Sequence, residues 1–582
     1  MPPHRDSTTP STIAKAPPSR RETLSLRRRA LPLTLPVVCL ALATLGQGAE
    51  ATAAFRGVVH HLGAPVGGAT VRIQTKDTSA VTDSLGRFTL TAPGEETVVI
   101  TAWSPGFYIG GGLEHQAGES DIEIALTRHG TGDCTDYEWV SAFAEAGEKE
   151  NCENCHASRV DSDRGLPFDQ WRLDAHARSV RNIHFLTMYL GTDVQGNQSP
   201  ATRYRTDRDY GTTPIRPAGD QLHYGPGYKL DFPTTAGNCG ACHAPMAAID
   251  DPYGVDPSRL KGVEAEGISC DLCHKVTDVL LDPATGLPFD NRPGVLSFEF
   301  SRPPSGHQFF AGPFDDVAPG EDAYSPVQKQ SQYCAPCHSA EFWGVEIYNS
   351  YGEWLSSPYA APDSITTCQG CHMPTGTADH FARIEEGGRR RAPETMRGHR
   401  MPGAKDEDLL RDAVNVTARA EFRGGEVEVA VEVVNSRTGH HVPTGSPLRQ
   451  LILVVQAHDD RGAALGQLRG PRLPDWCGVG DPERGYLAGL AGTAYAKILE
   501  QLWTGVSPTA AYWTQTRIAS DNRIPAFGAD TTTYTFEAPV SGDVTVDVQL
   551  LYRRAFIELS DLKGWGLEDI LMAHETVAVV VS

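Results

Sequence analysis

Long hydrophobic runs are scarce in this sequence of 582 residues. One apolar run, LPLTLPVVCLALATL, lies within the first 50 residues and spans about 15 residues, whereas a transmembrane helix needs about 20. No later segment is long enough to cross a bilayer. We therefore expect a mature chain without a transmembrane segment.

Positive charge is also in short supply. The chain has 51 Lys and Arg against 73 Asp and Glu, which gives a formal net charge of −22. A surface this acidic repels phosphate groups, so the composition argues against nucleic acid or an anionic membrane as a partner. It favours basic protein partners.

The N-terminus concentrates several of the basic residues ahead of the apolar run. Arg20, Arg21 and Arg27–Arg29 precede it, and small residues ending at Ala51 follow it. This order is typical of a secretory signal peptide, which we assign to residues 1–51. Cys39 would be removed with it. The pattern predicts an exported protein, either periplasmic or on the cell surface and extracellular.

Cysteine is sparse, with 13 residues in all, yet ten of them fall into five repeats of C-x-x-C-H. The repeats are CENCH, CGACH, CDLCH, CAPCH and CQGCH. About 0.01 matches are expected by chance from this composition. A zinc ribbon, a dithiol redox centre or a disulfide framework would also use paired cysteines, but none of these requires a histidine after every pair.

The C-x-x-C-H pattern matches the chemistry of c-type haem attachment. Two thiols three positions apart can form thioethers with one haem, and the adjacent imidazole can bind its iron. We therefore predict five covalent haem c groups. The predicted attachment residues are Cys152, Cys155, Cys239, Cys242, Cys270, Cys273, Cys334, Cys337, Cys368 and Cys371, and the predicted iron ligands are His156, His243, His274, His338 and His372.

The pattern along the chain predicts a multidomain protein. Residues 52–128 contain short alternating strands and no cysteine, which indicates an all-β sandwich that closes its own core and is dispensable for haem attachment. Residues 129–405 lose strand periodicity and carry all five motifs, so we expect a mainly irregular and α-helical pentahaem cytochrome c domain packed around haem. Residues 406–582 predict a β-rich, sandwich-like domain, with a helical stretch near GLAGTAYAKILEQLW.

Two resemblances extend these predictions. The run GAPVGGATVRIQTKDTSAVTDSLGRFTLTAPG resembles the carboxypeptidase regulatory-like domain, whose members are usually noncatalytic spacers or adhesive modules. The segments NCENCH…QWRLDAHA, NCGACHAP…GISCDLCHKV, YCAPCH…EWLSSPYA…TCQGCHMP and GHHVPTG resemble multihaem c-type cytochromes related to the tetrahaem cytochromes of nitrifying bacteria. The second resemblance implies bis-histidine haems and electron transfer. Asp174 departs from it, because the relatives have Ser at this position of W-x-x-S-x-H-A.

The identity of the second axial ligands decides the potential and the reactivity of each haem. We predict His176, His223, His307, His399 and His440, since a Gly or Ala lies within two residues of each, where a large macrocycle can approach. His184 and His380 are reserves. If His440 is a ligand, iron would hold the C-terminal domain against the haem-bearing segment.

The gaps between motifs predict which of them are neighbours. The second and third motifs, and the fourth and fifth, are separated by short stretches, so we expect each of these pairs to be close. Two cysteines, Cys134 and Cys477, lie outside the signal and the motifs. They could form a disulfide in an oxidising compartment or remain two independent thiols.

The sequence is compatible with three classes of function. The leading prediction is a multihaem cytochrome that carries electrons between redox partner proteins, such as other cytochromes, after the haem maturation machinery has loaded it. The second is a haem enzyme that acts on a small nitrogen or sulfur compound at one open iron. The third is a structural subunit of a homo-oligomer or larger assembly.

Overall fold

The computed structural model describes residues 52–581 except 94–96, 131, 145–150, 159–164, 220 and 376–377. The predicted signal peptide, with Cys39, therefore lies outside the described residues. Residues Ala51–Ser582 form one compact unit. No helix among the described residues is long and apolar enough to cross a membrane.

The N-terminal part folds into two facing sheets. Its strands are β1 Thr52–His61, β2 Ala64–Pro65, β3 Thr70–Ile73, β4 Ser79–Val81, β5 Arg87–Pro93, β6 Thr97–Trp103, β7 Gly110–Gln116 and β8 Ile122–Ala125. One sheet has the order β2-β1-β5 with β8 parallel to β1, and the other has the order β4-β3-β6-β7. Gly57 allows the parallel pairing, since a Cβ there would lie 2.1 Å from the carbonyl oxygen of Ile122.

Alternating apolar residues hold these two sheets together. Phe55 and Leu90 from one sheet, and Val71 and Ile100 from the other, are almost fully buried in a single cluster. Successive side chains of a strand point to opposite faces, so the alternation places one apolar face of each sheet against the other.

The middle segment, which carries the motifs, consists of short helices and small strand pairs joined by turns. Its elements are α1 Cys152–His156, α2 Pro167–Trp171, α3 Ile183–Leu190, β9 Tyr204–Asp207, β10 Gly211–Pro214, α4 Tyr228–Asp231, α5 Gly240–His243, α6 Pro245–Ala248, α7 Cys270–Cys273, β11 Val276–Val279, β12 Phe298–Phe300, β13 Phe310–Gly312, β14 Asp322–Tyr324, α8 Ala335–His338, β15 Ser339–Phe342, β16 Val345–Asn349, α9 Ser350–Leu355 and α10 Cys368–His372. In the part of this segment that the structure describes, the separate apolar clusters contain only three or four buried residues each. Clusters of this size are too small to serve as a domain core.

The C-terminal part returns to long strands. Its elements are α11 Glu407–Ala413, β17 Val414–Arg423, β18 Glu426–Asn435, β19 Gln450–His458, β20 Gln467–Arg469, β21 Gly492–Tyr495, β22 Lys497–Gln501, β23 Thr516–Asp521, β24 Ala529–Glu537, β25 Gly542–Arg553, α12 Ile557–Lys563 and β26 Ile570–Val581. Two sheets, β17-β18-β24-β20 and β21-β19-β25-β26, share a large apolar cluster, and β22 pairs with β23.

The helical stretch predicted near residues 489–503 is wrong. Strand β21 pairs with β19, and β22 pairs with β23 across these residues. Most of the run is buried on both faces. A short apolar run of this kind has no polar face, so its sequence does not distinguish a buried strand from a buried helix.

The N-terminal sheets are firmly attached to the middle segment. The guanidinium of Arg72 forms a bidentate pair with Asp315, at 2.8 and 3.0 Å. The side-chain amide of Gln74 donates to the carbonyl oxygens of Asp316 and Ala318, at 2.9 and 3.0 Å. These polar contacts tie the two parts together, and the expectation that residues 52–128 are dispensable for haem attachment stays a prediction.

Candidate haem-binding sites

Each C-x-x-C-H motif forms a single helical turn, within α1, α5, α7, α8 and α10. Residues three apart lie on the same face of a helix, so the turn brings both thiols of a motif to one side. Side chains cap two of these turns, because Ser269 accepts from the backbone N–H of Leu272 and Thr367 accepts from that of Gly370. None of the ten motif cysteines forms a disulfide.

Three of the motif histidines face a second imidazole among the described residues. The ring centres of His338 and His176 are 6.3 Å apart, and those of His372 and His440 are also 6.3 Å apart. His274 and His399 are separated by 6.5 Å. In each pair the second histidine is one of those predicted as an axial ligand.

This separation fits one metal ion between the two rings. With metal–nitrogen bonds of about 2 Å and a ring centre about 1.2 Å behind each bonding nitrogen, two opposed imidazoles have centres about 6.4 Å apart. Aromatic contacts also have ring centres 4.5–7 Å apart, so the separation agrees with a shared metal ion but is not specific to one. Three separations within 0.2 Å of each other therefore fit a common bis-imidazole arrangement.

Hydrogen bonds fix which ring nitrogen remains available. The Nδ1–H groups of His274 and His372 donate to the carbonyl oxygens of Ala311 and Pro402, both at 2.7 Å. The Nδ1–H of His440 donates to the carbonyl oxygen of its neighbour, at 2.9 Å. A carbonyl oxygen can only accept, so Nδ1 carries the proton and Nε2 is free to bind a metal.

His176 has a different acceptor. Its Nδ1 lies 2.6 Å from Oδ1 of Asp174, and the same oxygen accepts from the backbone N–H of His176 at 2.9 Å. Burial alone would raise the pKa of Asp174, but the hydrogen bonds and charge of His176 hold it below its usual value. The imidazole opposite His338 is therefore bonded to a carboxylate.

Among the described residues, the histidines of the first two motifs contact phenylalanine rings. His156 donates from Nδ1 to the carbonyl oxygen of Phe381 at 2.7 Å, with the two ring centres 6.5 Å apart. Phe185 stacks on His243 with ring centres 3.9 Å apart and a 4° angle between planes. These two sites differ from the three with paired imidazoles.

The structure places the other two predicted axial ligands differently. The side chain of His307 is 60% exposed, and its Nδ1 lies 2.8 Å from Oε1 of Glu321. This surface position does not support the prediction for His307. His223 is half-buried, and burial lowers its pKa. No ring contact with a motif histidine is found for either residue within the described structure.

The two reserve histidines also have partners other than a motif imidazole. The ring of His184 meets that of Trp565 edge to face, with centres 5.0 Å apart. Nδ1 of His380 lies 2.6 Å from the carboxylate of Asp379. Neither reserve histidine has Gly or Ala as a direct neighbour, whereas each of His176, His399 and His440 does.

Contacts between thiols show how the motifs are arranged. Cys152 of the first motif touches Cys270 of the third, and Cys242 of the second touches Cys337 of the fourth. Cys334 of the fourth motif touches Cys368 of the fifth. The fourth and fifth motifs are thus adjacent, as expected, whereas the direct thiol contacts of the second and third motifs are with the fourth and the first.

The third and fourth motifs are joined through Tyr333. Its hydroxyl donates to the carbonyl oxygen of Cys273 at 2.8 Å, and Tyr333 directly precedes Cys334. All five motifs therefore form one connected cluster, with the fourth in contact with the second, third and fifth. Sequence spacing limits how far apart two motifs can be, but the fold decides which neighbours they take.

Cys134 and Cys477 are both unbonded, so the disulfide alternative is not present in this structure. Cys477 is fully buried in an apolar cluster of the C-terminal part. Across the described residues, no group of three or more His, Cys, Asp or Glu side chains is arranged to hold a metal ion.

The C-terminal part reaches the motif cluster through Glu353 of α9, as well as through His440. Oε1 of Glu353 accepts from the guanidinium of Arg523 at 2.6 Å. Oε2 accepts from the backbone N–H of His441 at 3.1 Å and from the hydroxyl of Thr444 at 2.5 Å. This network fixes the loop that carries His440 against α9.

A second buried contact joins α12 to α3. Lys563 is fully buried, and its ammonium donates to the carbonyl oxygens of Thr187, Thr192 and Pro226 at 3.0, 3.1 and 2.7 Å. The C-terminal part is thus held to the motif-bearing segment at two separate places.

Comparison with solved structures finds a penta-haem cytochrome c552 from Thermochromatium tepidum, with a TM-score of 0.48 and 19% sequence identity over 73% of this chain and 97% of that one. A PapD-like domain of human CEP192 and the Fcho1 Mu homology domain of Danio rerio each align with 29% of this chain, at TM-scores of 0.12 and 0.11. No family model matches the sequence, and no curated protein matches it. These similarities are too distant to support an argument about function.

Proposed function

We propose that this chain is an exported multihaem c-type cytochrome that carries electrons between redox partner proteins. The observation that carries the proposal is the set of three imidazole pairs, each joining a C-x-x-C-H histidine to a histidine distant in sequence at 6.3–6.5 Å. The same pairing recurs at three of the five motifs, which is the arrangement expected if each pair of imidazoles held one metal ion. When bound, haem would supply reversible one-electron iron chemistry.

The roles of the residues follow from the motifs and the pairs. The ten motif cysteines would attach five haem groups, and His156, His243, His274, His338 and His372 would each bind an iron. His399, His176 and His440 would bind opposite His274, His338 and His372. Backbone carbonyls accept from Nδ1 of four of these histidines, which would hold those rings in position and keep Nε2 unprotonated for the metal; the four are His156, His274, His372 and His440.

The contacts between motifs support electron transfer. Adjacent motifs touch through their thiols or through Tyr333, so groups attached to them would lie close together along an unbroken path. The fourth motif lies at the junction, next to the second, third and fifth. Such an arrangement fits a carrier with more than one terminus, at which different partners could exchange electrons.

The setting of the protein also belongs to this proposal. Thioether attachment of haem requires the maturation machinery outside the cytoplasmic membrane, which agrees with the predicted signal peptide. The net charge of −22 favours basic redox proteins as partners. The two β-rich parts would serve as scaffold and docking surface, and assembly into a homo-oligomer is compatible with that role.

A haem enzyme is the second candidate, and one observation favours it. Among the described residues, the ring contacts of His156 and His243 are with phenylalanines, and none is with a second imidazole. An iron bound on one side only keeps a position at which a small nitrogen or sulfur compound could bind. This candidate requires at least one of these two sites to remain open in the loaded protein.

Two measurements on the loaded protein test the proposal. Intact-protein mass spectrometry should show five haem additions, and fewer than five after expression with competent maturation machinery would contradict it. Electron paramagnetic resonance of the oxidised protein should show low-spin ferric iron at the three paired sites. A high-spin ferric signal would assign an open site and favour the enzyme, whereas an entirely low-spin spectrum would favour the carrier.

A further inference from the structure

We propose that Asp174 sets a low reduction potential at the iron site formed by His338 and His176, by holding His176 as a strongly basic ligand. This inference rests on the proposed function and concerns one of its five sites. Asp174 does not touch the metal position, so it is a positioning and tuning residue that acts through His176.

The geometry makes the contact rigid. Oδ1 of Asp174 accepts twice from His176, from the ring Nδ1–H at 2.6 Å and from the backbone N–H at 2.9 Å. The backbone N–H of Asp174 itself donates to the carbonyl oxygen of Trp171 at 2.9 Å. The carboxylate is buried, with 7% of the residue exposed. Its orientation is therefore determined by the local backbone.

This acceptor differs from those of three other paired imidazoles. His274, His372 and His440 donate to neutral backbone carbonyls, whereas His176 donates to the side-chain carboxylate of Asp174. Carboxylate–histidine contacts also occur at His307 and His380, but neither of these rings faces a motif histidine. His176, which faces the motif histidine His338, is therefore an imidazole with a carboxylate acceptor.

The effect on potential follows from charge. A hydrogen bond to a carboxylate draws the Nδ1 proton away from the ring and makes Nε2 a stronger donor to the metal. Reduction would add one electron and so lower the positive charge of the site by one unit, and a buried carboxylate stabilises the more positive, oxidised state over the reduced one. Low local polarity strengthens this effect. Arg449 is a cation that also acts on His338, and it is unchanged in the variants below.

The position of the fourth motif affects how electrons would move through the cluster. This motif contacts the second, third and fifth, so an electron that passes between any two of them by way of the fourth motif must reduce its iron. A low potential at the fourth motif would therefore slow that transfer until the more easily reduced sites are filled.

The test replaces Asp174 in the haem-loaded full-length chain. Asp174→Asn keeps the size and an acceptor oxygen but removes the charge, and Asp174→Ser supplies a neutral hydroxyl. Asp169→Asn is the matched control, since Asp169 is also buried and accepts from Ser158 and Leu166 without touching an imidazole. The readouts are a spectroelectrochemical titration with dithionite as reductant and paramagnetic resonance of each oxidised site.

We expect both Asp174 variants to raise one of the five midpoint potentials, with the ratio of reduced to oxidised iron at that site increasing about tenfold, or about 59 mV. The resonance signal of the same site should shift, while the control leaves all five potentials unchanged. If no potential moves, or if all five move together, the inference is overturned. Failure of the proposed function would be seen separately, as a mass below five haem additions or as unchanged spin states in His176→Ala.

Discussion

Glu353 is the residue whose replacement tests how the C-terminal part is held to the motif cluster. Its carboxylate side chain is 4% exposed and bonds to Arg523, Thr444 and the backbone of His441. Glu353→Gln removes the charge but keeps the shape. Arg523 retains a bidentate partner in Asp521, at 2.8 Å for both contacts, so the variant does not leave an unpaired buried cation.

Two separate arguments give the loss in the free energy of unfolding caused by Glu353→Gln. Removing one partner of a buried ion pair typically costs about 3–5 kcal/mol, and the surviving Asp521 contact reduces this to about 2–3 kcal/mol. Independently, burial would raise the pKa of Glu353, but hydrogen bonding from His441 and the charge of Arg523 lower it to about 2. Relative to an unfolded value of about 4.3, the shift corresponds to about 3 kcal/mol.

The pH dependence has a definite sign. The pKa of Glu353 is depressed in the folded protein, so its contribution is fully present above about pH 5 and is lost as the pH falls towards 2. Urea unfolding of the loaded protein, followed by circular dichroism, should show a lower midpoint for Glu353→Gln at pH 7 with an unchanged slope. The difference from the parent protein should shrink steadily between pH 5 and pH 3.

Glu500→Gln is the matched control, because Glu500 pairs with an exposed Arg517 on the neighbouring strand of the same part. We expect this variant to change the free energy of unfolding by less than about 1 kcal/mol. A Glu353→Gln effect no larger than that of the control, or one that is equal at pH 7 and pH 3, would refute the reasoning.

Three further predictions follow from the contacts. His440→Ala should convert one iron from low-spin to another coordination state, while His441→Ala should leave all spin states unchanged; the opposite result in paramagnetic resonance would assign His441 as the ligand. Deleting residues 52–128 should leave five haem additions by mass but shift one reduction potential in a redox titration. The reason is that these residues contact the segment that includes Ala311, whose carbonyl oxygen accepts from Nδ1 of His274. Unchanged potentials would contradict this. Lys563→Met should lower the thermal midpoint by the equivalent of about 2–3 kcal/mol, since three buried carbonyls lose their donor; a change below 1 kcal/mol would show that these carbonyls find other partners.

Several features of the site could be predicted from the sequence because they are local. The thiol spacing and the adjacent imidazole of each motif lie within one helical turn, so the five repeats are enough to name every proposed attachment residue. The strands of the two β-rich parts could also be recognised, because alternation of apolar residues reflects the geometry of a strand. The helix predicted near residues 489–503 failed because a run buried on both faces has no such alternation.

The pairing of imidazoles depended on the tertiary structure. His399 and His440 directly follow a Gly, as His307 does, yet of these three only His399 and His440 face a motif imidazole in the described structure. The two members of a pair come from distant parts of the chain, and in the case of His372 and His440 from two different structural parts. Contacts of that range depend on the packing of the whole chain, which short sequence patterns do not encode.

The sequence by itself determined the number of attachment motifs, their chemistry and the acidic character of the chain, since these depend on residue type and local spacing. The tertiary structure decided which motifs adjoin, which imidazoles oppose them and which acceptor each ring nitrogen finds. Asp174 shows the difference clearly. Its departure from Ser is visible in the sequence, but only folding places its carboxylate 2.6 Å from the ring that faces His338. A residue's charge is a property of its type, whereas the group on which that charge acts is set by distance and burial in the folded chain.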